Sequence, residues 1–141
     1  TSGHIPIYIK QLNALFTGDT LFSLGCGRIF EGTYDEMYNS LEKLKKFPKN
    51  TQIYCGHEYT KKNADFCLSI DTKNSKLINK ISQIDERIKS NKATIPSTLE
   101  DELKCNIFLK SDNLEIQKRL GINSGNPIET FKKLRELKDN F

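Results

Sequence analysis

Two segments of this sequence run from a short apolar stretch directly into a turn that presents one potential metal ligand. Ala14-Leu15-Phe16-Thr17-Gly18-Asp19-Thr20 delivers Asp19, and Gln52-Ile53-Tyr54-Cys55-Gly56-His57-Glu58-Tyr59-Thr60 delivers His57. The chain has only two histidines, and the other, His4, sits in a third unit of the same kind, Ser2-Gly3-His4-Ile5. A strand end followed by glycine and a ligand brings that ligand to one edge of a sheet, where residues distant in sequence can meet. Two imidazoles and a carboxylate therefore point to one convergent, incomplete site. Nitrogen and oxygen donors together suit Zn²⁺, Fe or Mn rather than a thiolate-only or oxygen-only site. Spacing alone is a weak argument, since a lone histidine at a strand end is more often structural and a Gly-Asp pair is more often a turn.

The apolar pattern around these segments is that of a mixed α+β chain. Residues 5–9, 15–17 and 51–55 read as strands, with Pro6 favouring an edge or a strand start. Residues 34–47 read as a helix with Met37, Leu41 and Leu44 on one side, Thr33 as N-cap, Glu36 at the capping-box position and Pro48 as the stop. Beyond Tyr59 the strand signal fades. Leu77, Ile78, Ile81, Ile84 and Ile88 form the stripe of a helix over 75–90, and Ser97-Thr98-Leu99-Glu100 is a capping box opening a helix towards Cys105. Asn126 and Pro127 start a last helix that turns Ile128, Phe131, Leu134 and Leu137 inward. Three short strands and one helix cannot cover a sheet by themselves. The expectation is that the sheet is covered by another chain, or that this sequence, which opens at Thr1 rather than Met, is part of a longer protein.

Composition narrows the function classes. Of 141 residues, 36% are hydrophobic and 28% charged, the balance of an ordinary folded domain. The net charge of +4 is spread without any run of five or six like charges, so no nucleic-acid partner is expected. No apolar run approaches the roughly 20 residues needed to span a bilayer, so no membrane partner is expected either. Cys26, Cys55, Cys67 and Cys105 show no CxxC pairing and are expected to stay reduced. Cys26, between two glycines, is either a reactive thiol or a small residue in a tight loop, and the second reading is favoured because only Arg28 adjoins it.

Several motifs resemble one family closely. Thr17-Gly18-Asp19-Thr20-Leu21-Phe22, followed by Gly25-Cys26-Gly27-Arg28 and Phe30-Glu31-Gly32-Thr33, resembles the signature of the glyoxalase II (hydroxyacylglutathione hydrolase) family of the metallo-β-lactamase superfamily. Tyr54 to Thr60, with Asn63 and Phe66, resembles its next signature in the right order. Thr94-Ile95-Pro96-Ser97-Thr98-Leu99 with Glu102 resembles the start of its C-terminal helical region. The family's Thr-His-x-His-x-Asp-His motif is not among these residues, and Phe30 stands where many members carry Tyr.

The resemblance implies the C-terminal part of a metallo-β-lactamase αβ/βα sandwich (1–58) followed by an α-helical glutathione-binding domain (59–141). It implies two divalent metal ions, Zn or else Fe or Mn, with His4, Asp19 and His57 as metal ligands and Asp19 and His57 as the catalytic pair. Arg28, Tyr59, Arg135 and Lys138 are implied to hold the glutathione part of the substrate, Arg135 and Lys138 gripping its glycine carboxylate. Residues at i and i+3 do share a helix face, although such a pair taken alone is usually a solvated face. The implied reaction is hydrolysis of S-2-hydroxyacylglutathione thioesters, S-lactoylglutathione giving lactate and glutathione, by a hydroxide bridging the two metals. A thiol of pKa about 8.5 leaves without a strong general acid. The 141 residues alone are expected to be inactive, and the full protein to act as a cytoplasmic monomer. Two alternatives stand beside this reading: a mononuclear-iron persulfide dioxygenase of the same superfamily, and a non-catalytic binding module.

Overall fold

The computed structural model describes residues 5–29 and 33–141; His4 and Phe30 lie outside them. Strands β1 (Ile7–Ile9), β2 (Ala14–Gly18), β5 (Gln52–Cys55) and β6 (Ser97–Thr98) form one sheet in the order β1-β2-β5-β6. The central pair, β2 and β5, is parallel and the two outer pairings are antiparallel. Parallel neighbours need a crossover. Here it holds a small hairpin, β3 (Leu21–Phe22) with β4 (Gly25–Cys26), and helix α1 (Tyr34–Leu44). The chain is α+β, with the sheet elements concentrated in its first half.

Alternation along the strands sorts the two faces of the sheet. Tyr8, Leu15 and Ile53 stand in register on the face packed into the core. Ile7, Phe16 and Tyr54 stand in register on the other, where Ile7 is 60% and Phe16 39% exposed. Helix α1 begins as the pattern predicts: the Thr33 hydroxyl accepts from the Glu36 N–H at 3.2 Å, and Leu41 and Leu44 are buried. It ends at Leu44, three residues short of the expected end, in a turn that leads to Pro48.

The second half adds α2 (Thr60–Ile70), α3 (Ser75–Lys89), α4 (Leu99–Cys105), α5 (Leu114–Arg119) and α6 (Pro127–Asp139). Of the stripe on α3, Leu77 and Ile84 are buried, whereas Ile78 and Ile88 stay half exposed at its margin. The capping box before α4 lies one residue later than its sequence suggests. Thr98 caps, accepting from the Asp101 N–H, because the Ser97 hydroxyl is used instead as a donor to Glu102. Asn126 caps α6 and Pro127 is its first residue, as read from the sequence; Phe131 and Leu134 are fully buried, Ile128 and Leu137 partly. Strand β6 brings the second half back against β5, so one core runs from Leu15 and Ile53 through Phe66 and Phe108 to Phe131.

Candidate functional site

The site forms where the two parallel strands end. Pairing of β2 with β5 is regular up to Phe16–Tyr54, then shifts by one residue before Gly18–Cys55. Such irregularities bend a strand and re-aim the side chain that follows. The Gly56 N–H donates to the Gly18 carbonyl at 2.8 Å, which closes the two strand ends together. Asp19 and His57 leave those ends side by side, with His57 Nε2 3.3 Å from Asp19 Oδ1 and both side chains about half exposed. The convergence expected from the sequence is therefore present for these two residues.

Two glycines make the approach possible. A Cβ on Gly56 would lie 2.8 Å from Asp19 Oδ1, and a Cβ on Gly27 would collide with the Asp19 carbonyl oxygen. Above the pair stand aromatic rings: Tyr59 stacks on His57 at 5.0 Å between centroids, and Phe22 meets Tyr59 edge-on at 5.3 Å. Imidazole nitrogen and carboxylate oxygen form a donor set that suits a divalent cation. Their adjacency at a cavity wall, with no side chain between them, fits them for part of a metal site. Among the described residues no third His, Cys, Asp or Glu joins them.

The cavity they open into holds about 520 Å³, within the ordinary range for a small-molecule site. Arg28, Tyr59, Arg135 and Lys138 all line it, as do Lys62, Asn63, Phe22 and Met37. All six described residues put forward for the site thus meet on one cavity, but they do not meet it alike. Arg28 is exposed, and its Nε lies 3.5 Å from Asp139 Oδ1. Arg135, expected on periodicity alone to be solvated, is 3% exposed. Its Nη1 donates to the carbonyls of Cys26 (2.7 Å) and Gly27 (3.4 Å), while Nε and Nη2 reach Asp139 Oδ1 at 3.1 and 2.9 Å. Lys138 is half buried and has no carboxylate partner among the described residues. Loss of hydration holds its ammonium below the usual lysine range, and Arg135, Lys62 and Arg28 push it the same way.

The β3–β4 hairpin that floors the cavity is held through its backbone. Asn106 donates to the carbonyls of Phe22 and Gly25, Asn63 to that of Ser23, the Cys67 thiol to that of Leu24, and Arg135 to those of Cys26 and Gly27. The Leu24 N–H in turn donates to the Glu102 carboxylate at 3.0 and 3.2 Å. Six successive carbonyls are thus satisfied by side chains of the helical half. A buried two-residue strand offers few ladder bonds, and buried carbonyls must be paired somewhere. Asp139, Glu102, Asn106 and Cys67 carry this arrangement without having been assigned such a part in advance. The Arg135–Asp139 spacing of i, i+4 was the one local signal available for any of them.

Burial bears on the two readings of Cys26. Cys26 is buried, and loss of hydration pushes its thiol up to about 11 despite Arg135 beside it. Burial therefore favours the reading of Cys26 as a small residue in a tight loop over that of a reactive thiol. All four cysteines are free.

Comparison with known proteins agrees with this geometry. Residues 58–141 match the family described as hydroxyacylglutathione hydrolase C-terminus, and residues 1–57 match the metallo-beta-lactamase superfamily. This chain belongs to the hydroxyacylglutathione hydrolase family. Among curated relatives with that name, the Pelagibacter ubique protein is 54% identical over all 141 residues, which cover 53% of its length. The Prochlorococcus marinus protein is 53% identical over 82% of this chain and 47% of its own. An Arabidopsis thaliana relative named hydroxyacylglutathione hydrolase cytoplasmic is 46% identical over the whole chain and 56% of its own length. The chain spans about half the length of these relatives. Membership of a metallo-β-lactamase family implies use of divalent metal, in keeping with the Asp19–His57 pair. No helix among the described residues is long and apolar enough to cross a membrane.

Proposed function

We propose that this chain is the C-terminal half of a hydroxyacylglutathione hydrolase, which cleaves S-2-hydroxyacylglutathione thioesters such as S-lactoylglutathione into the hydroxy acid and glutathione. One observation carries the reading. Asp19 and His57 lie 3.3 Å apart on the wall of a cavity that Arg28, Lys62, Arg135 and Lys138 also line. A metal-ligand pair and a field of cations facing one cavity suit a polarised carbonyl joined to an anionic carrier.

In this reading Asp19 and His57, with His4, are metal ligands, and Asp19 and His57 are the catalytic residues. Zn, Fe and Mn are all compatible with these donors, and two ions are proposed for the complete site. The bound metal supplies a Lewis acid and makes water available as a nucleophile near neutral pH. The chain's own residues do the rest. Tyr59, stacked on His57 and packed against Phe22, gives the thioester a flat wall beside the ligands. Lys138 and Arg28 attract the glycine carboxylate. Arg135 adds its charge from behind them while fixing the carbonyls of Cys26 and Gly27. Water adds across the C–S bond: the acyl carbon gains the hydroxyl, and the sulfur leaves as thiolate and takes a proton from solvent.

The proposed division is 1–58 for the metallo-β-lactamase-like part and 59–141 for the helical glutathione-binding domain. It is supported by the meeting of the two family matches between residues 57 and 58. A cytoplasmic monomer is proposed as well, supported for compartment by the name of the Arabidopsis relative and by the four free thiols. The test is thiol release from S-lactoylglutathione by the protein at the full length of its relatives, with metal analysis on the same sample. Release of thiol with close to two metals per chain is expected. Metal-bearing protein that leaves the thioester intact and consumes O₂ with glutathione persulfide would replace the hydrolase by a dioxygenase. Folded protein with neither metal nor activity would leave a binding module.

A further inference from the structure

The charges around the cavity do not balance among the described residues. Asp139 is shared between Arg28 and Arg135, and Asp19 faces His57. Two ammonium groups on the cavity lining, those of Lys62 and Lys138, then have no carboxylate partner among the described residues. Lys62 is also badly placed for its own helix. It occupies the first turn of α2, where the exposed N–H groups make a positive end and cations are disfavoured. That turn contains no acidic residue, and Tyr59 before it offers no side-chain cap. The neighbouring Lys61 meets the same difficulty but is compensated by Asp65 at 3.3 Å and Asp85 at 2.9 Å, and none of these three lines the cavity. Lys62 has no such relief, is exposed, and faces the same cavity as Lys138.

A cation in an unfavourable position, with no carboxylate partner among the described residues, is explained by an external one. We propose that Lys62 binds a second carboxylate of the substrate, the α-carboxylate of the γ-glutamyl residue, while Lys138 and Arg28 take the glycine carboxylate. This rests on the hydrolase reading above and adds to it a determinant for the far end of the thiol carrier. The count agrees: glutathione carries two carboxylates, and the lining offers two unpaired ammonium groups. Because Lys62 is exposed, its contact is screened by salt and modest in strength.

The experiment compares two thioesters on the full-length, metal-loaded protein: S-lactoylglutathione, and S-lactoyl-N-acetylcysteinylglycine, which lacks the γ-glutamyl carboxylate. Replacing Lys62→Gln is expected to raise KM for the first about fivefold with kcat unchanged, and to leave the second unaffected. Lys61→Gln, as a control for charge at the same helix end, is expected to change neither. The fivefold effect should shrink as salt is raised from 50 to 500 mM. Equal losses on both thioesters, or no loss on either, would overturn the assignment while leaving the hydrolase reading intact. Absence of turnover of S-lactoylglutathione by the unaltered protein would remove the hydrolase reading and this one with it.

Discussion

Gly56 decides how closely Asp19 can lie against the end of β5. Its missing side chain is the space into which the carboxylate fits, since a Cβ there would stand 2.8 Å from Asp19 Oδ1 and 3.3 Å from the Gly18 carbonyl. Both distances are shorter than van der Waals contact, and of the two groups only the Asp19 side chain is free to rotate away. A Gly56→Ala variant of the full-length protein is therefore expected to keep its fold while Asp19 turns from His57. The loss expected is about tenfold in divalent-metal affinity, the scale on which disturbing a ligand's support acts. Metal titration followed by isothermal calorimetry checks it, with circular dichroism to confirm the fold. Unchanged affinity would mean that Asp19 does not need this approach. The same local logic made the site legible in the sequence. A strand, a glycine and a ligand are contiguous, so Asp19 and His57 could be read without knowing their neighbours. Arg135 could not, because its partners are the carbonyls of Cys26 and Gly27, more than a hundred residues away.

At the scale of elements, the β3–β4 hairpin depends on a carboxylate buried without a cation. Glu102 is fully buried and accepts from the Leu24 N–H, the Ser97 hydroxyl and the Asn106 amide. Loss of hydration raises its pKa above the ordinary 4.5, and those three donors offset the rise only in part. The folded chain therefore holds this proton more tightly than the unfolded one. Its contribution to stability is complete below about pH 4.5 and falls away as pH rises through the folded-state pKa. Glutamine at this position cannot ionise, so the stability of the unaltered protein relative to Glu102→Gln is expected to decline as pH rises above about 4.5. Urea unfolding of both proteins across that range measures the difference, and a gap independent of pH, or one widening in the opposite direction, would refute it. The helices α1, α3 and α6 were readable because each has an apolar stripe of period near 3.6 and a capping residue. Helix α2 was not, because the side it buries is largely polar or small: Thr60, Asn63, Ala64 and Cys67 beside Phe66. Asn63 and Cys67 face inward to satisfy hairpin carbonyls, a demand that only the tertiary structure imposes. The hairpin strands, two residues each, were too short to carry any periodicity.

For the molecule as a whole, the sheet and the site point the same way. Helices pack on the Tyr8–Leu15–Ile53 face, whereas the Ile7–Phe16–Tyr54 row remains partly open to solvent. The cavity likewise gathers Arg28, Lys62, Arg135 and Lys138 on its lining, but the described residues bring only Asp19 and His57 to the proposed metal position. Even with His4, the three proposed ligands would be shared between two metal ions, fewer than the three protein ligands and one open position that each catalytic zinc uses. In the proposed hydrolase, the part that would recognise the carrier is thus nearly complete in these residues, and the part that would perform the chemistry is not. These two properties are expected to separate when residues 1–141 are produced alone. Glutathione should still bind, weakly and in a salt-sensitive way, because Arg28, Lys62 and Lys138 all come from this chain. Thioester hydrolysis should stay at the background rate even with Zn²⁺ in excess. Chemical-shift changes on titration with glutathione at 20 and 300 mM salt test the first expectation, and thiol release from S-lactoylglutathione tests the second. Hydrolysis restored by Zn²⁺ alone would show that these residues complete a working metal site. Loss of both properties, with the helices still formed, would show that residues 1–141 do not form the carrier site on their own.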